Sequence, residues 1–181
     1  MSARAVGVFG KLPGRGDFLL RDLDPGFADA WHDWLVRELP AARDQLAEHF
    51  EPAYLQAPIW RFAVAPGLAG GQGMTGVMIP SIDAVGRQFP LTLAAAGPIA
   101  TRDWYAAVEE VAIAALAEDW QSEPWLAQLA ALPAPAGAVG DGVHFWGEGS
   151  PFVPAGSLTF AGLPTGAAFA RLLLERKEPR A

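Results

Sequence analysis

The stretch that most constrains the fold runs from Gly76 to Ala95, GVMIPSIDAVGRQFPLTLAA. Two apolar runs rich in strand formers, Val77 to Ile79 and Phe89 to Leu93, flank a connector holding Ser81, Asp83, Gly86 and Arg87. This is the pattern of two neighbouring strands. In the second run Phe89, Leu91, Leu93 and Ala95 share one face, and Gln88, Pro90, Thr92 and Ala94 share the other. Pro80 and Pro90 lack amide donors, so each belongs at a strand end, a bulge or an edge. The opposite charges of Asp83 and Arg87 let the connector hold its own shape through hydrogen bonds to backbone. Two readings of the connector stand side by side: a rigid display loop, or a turn that Asp83 and Arg87 only cap and tether.

Elsewhere the chain alternates strand and helix signals. Ala5 to Phe9 reads as a strand, closed by a glycine-rich loop from Gly10 to Asp17 that carries Lys11, Arg15 and Asp17. A helix is expected from Pro25 with Asp24 as its N-cap. Phe27, Trp31, Trp34, Leu35 and Leu39 form its apolar stripe. Pro40 is expected to end or kink it, with a second helical segment over Ala41 to Phe50. Ile59 to Ala65 alternates as a strand, and Arg61 within it needs an acceptor, for which Asp83 or Asp17 are the candidates. Pro98 to Asp119 reads as the longest helix, with Trp104, Val108, Val111 and Ala115 inward and Ile113, Leu116 and Trp120 widening the stripe. A shorter helix over Ser122 to Leu132, strands at Val143 to Trp146 and Leu158 to Phe160, and a closing helix from Pro164 to Arg176 complete the pattern. The tail beyond is expected to fray. Together these elements predict a single α+β domain over residues 1–181. Its central, mostly antiparallel sheet has about five strands, with helices packed on both faces.

Composition narrows the function. At 181 residues with 51% hydrophobic side chains and seven Trp, the chain can bury one sizeable core. A net charge of -7, with 13 Lys and Arg spread along the sequence, argues against a nucleic-acid surface. The absence of Cys excludes disulfides and thiolate metal sites. No apolar run is long enough to span a bilayer and no secretory signal is visible, so a soluble, cytoplasmic protein is expected.

Candidate chemistry is sparse. Gly71 to Gly76 matches GxGxxG, but a strand follows where a dinucleotide site requires a helix. GKLPGRGD has glycines beside Lys11 and Arg15, yet lacks the order of a phosphate-binding loop. Asp141, His144 and Ser150 have the residue types of a nucleophilic triad without the GxSxG elbow. Glu109 with Glu110 and Glu118 with Asp119 read as solvated helix faces. No metal-ligand spacing occurs, so neither metal nor cofactor is expected. What remains is a set of charged loops at strand ends: Lys11, Arg15 and Asp17 in one, Ser81, Asp83 and Arg87 in another, and Arg61 between them. Brought together, they would form either a structural ion network or a recognition site for a partner's acidic or phosphorylated segment.

Three segments, GVFGKLPGRGDF, PIWRFAVAPG and PSIDAVGRQFPLTLA, occur in an order and over a span, Val8 to Ala96, that resembles the N-terminal domain family of TagF, an accessory protein of type VI secretion. The resemblance implies a layered α/β domain similar to longin-like regulatory modules. It further implies a non-enzymatic, cytoplasmic protein of Gram-negative bacteria that represses secretion-system assembly post-translationally. The partner so implied is a forkhead-associated scaffold protein in the threonine-phosphorylation pathway. The residues alone also leave open a small anionic ligand or nucleotide held by Lys11, Arg15 and Arg87.

Overall fold

The computed structural model describes residues 4–117 and 121–175. Strand β1, Gly7–Gly10, is followed by a short β2, Leu19–Arg21, and a long helix α1, Pro25–Leu46. A single 3₁₀ turn leads into α2, Phe50–Leu55. Three strands come next, β3 at Trp60–Val64, β4 at Met74–Ile79 and β5 at Leu91–Ala96. Helices α3, Arg102–Ala117, and α4, Glu123–Ala131, precede β6, Val143–Gly147, β7, Gly156–Phe160, and a four-residue α5, Ala167–Ala170.

All strands join one antiparallel sheet in the order β2-β1-β5-β4-β3-β6-β7. Among the described residues the sheet has seven strands rather than the expected five or so. The unexpected β2 is only three residues long, too short for a period-two signal to be read.

Helices cover both faces, as the sequence pattern predicts. Against one face lie Trp31, Trp34 and Leu35 of α1, packed on Phe62, Met78 and Phe145 of the sheet. Against the other lie Tyr105, Val108 and Ala112 of α3 and Trp125 of α4, packed on Val77, Leu91 and Leu93. This two-sided burial explains why all six residues of β4 are buried and why its sequence does not alternate apolar with polar. The odd polar residues in the layer are satisfied: Trp31 Nε1 donates to Thr92 Oγ1 at 2.9 Å, and Thr75 Oγ1 donates to the Phe62 carbonyl at 2.8 Å.

Helix α1 begins as expected, with Asp24 Oδ2 accepting from the Phe27 amide. It differs at Pro40, through which it runs without a break. Pro40 and Val36, the residue whose carbonyl Pro40 leaves without an intrahelical donor, are both exposed, so the missing bond falls on the solvent-facing turn and not in the core. The closing segment also differs: the helix there spans only Ala167–Ala170 before breaking into a turn, although Phe169, Leu172 and Leu173 are buried as expected. Three clips from α1 and β3 hold it in place of helix length. Trp34 Nε1 donates to the Pro164 carbonyl at 2.7 Å, the Gly166 amide donates to Glu38 Oε2 at 2.7 Å, and Trp60 Nε1 donates to the Leu172 carbonyl at 2.9 Å. On α3, Ile113 faces solvent instead of widening the core stripe. Glu118, Asp119, Trp120 and the tail from residue 176 lie outside the described residues.

The Trp31 to Thr92 bond ties α1 to the middle of the sheet without solvent access at either end. Thr92→Val keeps the shape but strands a buried indole donor. It is expected to destabilise the fold by about 1 to 3 kcal/mol, measured by urea denaturation.

Candidate functional site

The connector between β4 and β5 is a hairpin stiffened from within. Pro80 and Pro90 stand just past the last ladder pair, Ile79 with Leu91, where missing amides do no harm. Beyond them the Phe89 amide donates to the Ser81 carbonyl, Ile82 bridges Gln88, and the Asp83 amide donates to the Arg87 carbonyl. Gly86 closes the turn with a φ of 84°, a left-handed conformation that glycine adopts without strain.

Asp83 is the hub. Its Oδ1 accepts from the Val85 amide at 3.1 Å and the Arg87 amide at 2.8 Å. Its Oδ2 accepts from Lys11 Nζ at 2.8 Å and Arg87 Nε at 2.6 Å. The side chain has no solvent exposure. Burial alone would push its carboxyl up. The Lys11 bond first, then the backbone and side chain of Arg87 and the Val85 amide, overturn that effect and hold it well below the usual carboxylate range.

Lys11 reaches Asp83 because β1 runs close beside the start of β5. Gly10, at a φ of 139°, leaves no room for a side chain: a Cβ there would sit 2.2 Å from the Pro90 carbonyl oxygen. The ammonium of Lys11 also lies 5.0 Å from the centre of the Phe18 ring, a cation–π contact. The two loops are stitched further by backbone. The Ala84 amide donates to the Arg15 carbonyl at 3.0 Å, and Arg87 Nη2 donates to the Gly16 carbonyl at 2.8 Å. Ser81 Oγ donates to the Lys11 carbonyl at 2.7 Å.

Sequence reasoning missed Tyr54, which ties α2 to this assembly. Its hydroxyl donates to the Ser81 carbonyl at 2.7 Å and accepts from the Ser81 amide at 3.2 Å. Burial pushes its pKa up, against the smaller opposing effect of the Ser81 bond. The available signal was a Tyr among apolar helix neighbours, since a buried phenol needs a polar partner for its tip.

The structure thus brings together Lys11, Ser81, Asp83 and Arg87, with Arg15 joined through its backbone. Asp17 is exposed at the end of its loop, and its carboxylate is not among the groups that hold the cluster. Arg61 is elsewhere. Its side chain leaves β3 toward α3, where Nε bonds Glu109 Oε1 at 2.6 Å and Glu148 lies 3.9 Å away. Neither Asp83 nor Asp17 is its acceptor. The Glu109 bond, outweighing burial, raises the Arg61 pKa and keeps its charge. Glu109 is therefore not a solvated helix residue, whereas the adjacent Glu110 is exposed.

The remaining motifs fare as the sequence suggests. Ser150 Oγ accepts from the Phe152 and Val153 amides and caps a turn. His144 contacts the Asp141 carbonyl and Thr159 Oγ1, not Ser150. The last residues of the GxGxxG match, from Met74, already belong to β4. A cleft of about 340 Å³ opens at the opposite end of the sheet, walled by Ala63, Pro66, Pro98, Ile99 and Val139. Beside the cluster there is a smaller one of about 140 Å³, lined by Pro13, Leu55, Pro80 and Ile82.

The family model described as TagF N-terminal domain, type VI secretion system-associated, matches residues 7–132, a range that contains all three motif segments and the whole Asp83 cluster. The chain belongs to the TagF N-terminal domain family. Its fold is shared with the crystal structure of PA0076 from Pseudomonas aeruginosa PAO1, at a TM-score of 0.85 and 36% identity. That match covers 97% of each chain, so the shared fold extends beyond residue 132 into the C-terminal part of the chain. No curated protein matches the sequence.

Asp83 links stability to pH. Because its folded pKa is lowered, its contribution is fully present above the ordinary carboxylate value of about 4 and is lost as pH falls from there toward the folded value. Asp83→Asn is expected to lower the melting temperature most at neutral pH. The gap to wild type should narrow steadily below about pH 4, as followed by circular dichroism melts across pH.

Proposed function

We propose that this protein is a non-catalytic, cytoplasmic accessory factor of type VI secretion that restrains assembly of the secretion system post-translationally through protein contacts. Its partner on this reading is a forkhead-associated scaffold protein of the threonine-phosphorylation pathway. Membership of the TagF N-terminal family supports the link to type VI secretion.

The observation that carries the reading is the saturation of Asp83. A buried carboxylate that already accepts four hydrogen bonds is a structural anchor, not a group waiting for a substrate. What the anchor presents is a stiff apolar and cationic end of the domain. Val85 is 73% exposed at the hairpin tip, with Leu55 and Phe18 exposed on neighbouring elements and the Arg87 side chain 62% exposed. Exposed aliphatic and aromatic groups beside an Arg on a rigid base suit a protein interface.

The alternative of a small anionic ligand draws less support. Lys11 is buried with its charge on Asp83, and Arg87 directs Nε to Asp83 and Nη2 to the Gly16 carbonyl.

Val85→Asp, at a side chain 73% exposed, is expected to shift melting by little. Arg87→Ala also removes one donor from the buried Asp83 carboxylate and is expected to lower the melting temperature while leaving the fold intact. Both should abolish co-purification of secretion-system components from the native host, read by mass spectrometry. Undiminished co-purification of the same components by both variants would sink this assignment of the surface.

A further inference from the structure

The two edges of the sheet are built differently. On one side β2 has three residues and runs into Asp22, whose φ of 54° turns the chain away from strand geometry. Short edge strands that end in a twist are poor templates for pairing. On the other side β7 has five residues, GSLTF, in unbroken register with β6 from Gly156 to Phe160. It contains no charge, no proline and no bulge, the devices by which edges are protected. Among the described residues its backbone makes no hydrogen bond outside the β6 ladder.

The strand also complements itself. Leu158 and Phe160 lie on the α1 side, half-buried at the rim of the core. Ser157 and Thr159 are exposed on the opposite face. A second β7 laid antiparallel about a two-fold axis through Leu158 sets Leu against Leu, Ser157 against the other Thr159, and Gly156 against the other Phe160. The first pair extends the apolar layer from one molecule into the next. The second joins two hydroxyls, and the third lets an aromatic ring cover a glycine, a favourable cross-strand arrangement. No like charges meet along the strand.

We infer that β7 is a homodimerisation edge, at which two copies of this chain join their sheets into one continuous antiparallel sheet centred on Leu158. Such an interface is isologous and closed, so it yields dimers and not fibres. It lies on the edge strand farthest from β1, whose end carries Lys11 of the charged cluster, and leaves that end of each copy free.

The test uses the full chain and sedimentation velocity over a range of concentrations, with circular dichroism to verify folding. Wild type is expected to shift from monomer to dimer as concentration rises. Ser157→Lys with Thr159→Lys sets like charges against each other twice and should leave the protein monomeric. Ser157→Lys with Thr159→Glu sets opposite charges in the same places and should restore the dimer. A wild type that stays monomeric throughout, a Lys/Lys variant that dimerises as wild type does, or a Lys/Glu variant no better than Lys/Lys each overturns the inference. Independently of those variants, Leu158→Cys introduces the only thiol of a chain without Cys. It should form a disulfide-linked dimer under mild oxidation much faster than Val36→Cys on the exposed flank of α1, and equal rates count against the two-fold register.

Discussion

One carboxylate organises the motif-bearing end of this domain. Asp83 accepts two amides from its own hairpin and two cationic donors, one of them just past the end of β1, 72 residues away in sequence. Burying a charge is costly unless its lone pairs are filled, and here all the donors arrive from directions fixed by backbone. The hairpin fixes Val85 and Arg87, the close passage of Gly10 beneath Pro90 fixes Lys11, and Ser81 hands the arrangement on to Tyr54 and α2. Remove that acceptor and two loops and a helix end lose their common reference point.

The same economy of surfaces shapes what the molecule can offer a partner. Because helices cover both faces of the sheet, its central strands are closed to contact. Only the strand ends and the sheet edges remain. The cluster occupies one end, an apolar cleft the other, and the two edges differ in how well they are shielded. Arg61 and Glu109 belong to the interior of this scheme. They neutralise each other between β3 and α3, so the Arg signal inside an apolar strand marks an interlayer tie and not a binding group.

Much of this was legible in the sequence for identifiable reasons. The hairpin from Gly76 to Ala95 is local: its prolines, its glycine and its Asx-forming aspartate specify the turn within a few residues. The stripe from Phe27 to Leu39 and the helix cap at Asp24 are equally local. The pairing of Lys11 with Asp83 was visible only as two charged loops at strand ends, because nothing local says which strands are neighbours. The acceptor of Arg61 was assigned wrongly for the same reason, since the choice among Asp17, Asp83 and Glu109 depends on which face of β3 meets which helix. Pro40 misled because the rule against proline within helices weakens on a solvent-facing turn. The closing segment misled because its helical spacing is satisfied by a single turn once indole and carboxylate clips from α1 and β3 hold its backbone.

Those clips limit where the polypeptide can be divided. The family match stops at residue 132, yet Trp34, Glu38 and Trp60 spend their polar atoms on carbonyls and an amide between Pro164 and Leu172. A fragment cut at that boundary would lose two strands and lay bare a row of indole and phenyl rings, including Trp31, Phe62 and Trp34, that now touch Phe145. The shared motifs therefore mark a stretch of sequence and not a separable body, and the residues that complete the hydrophobic seal lie beyond them.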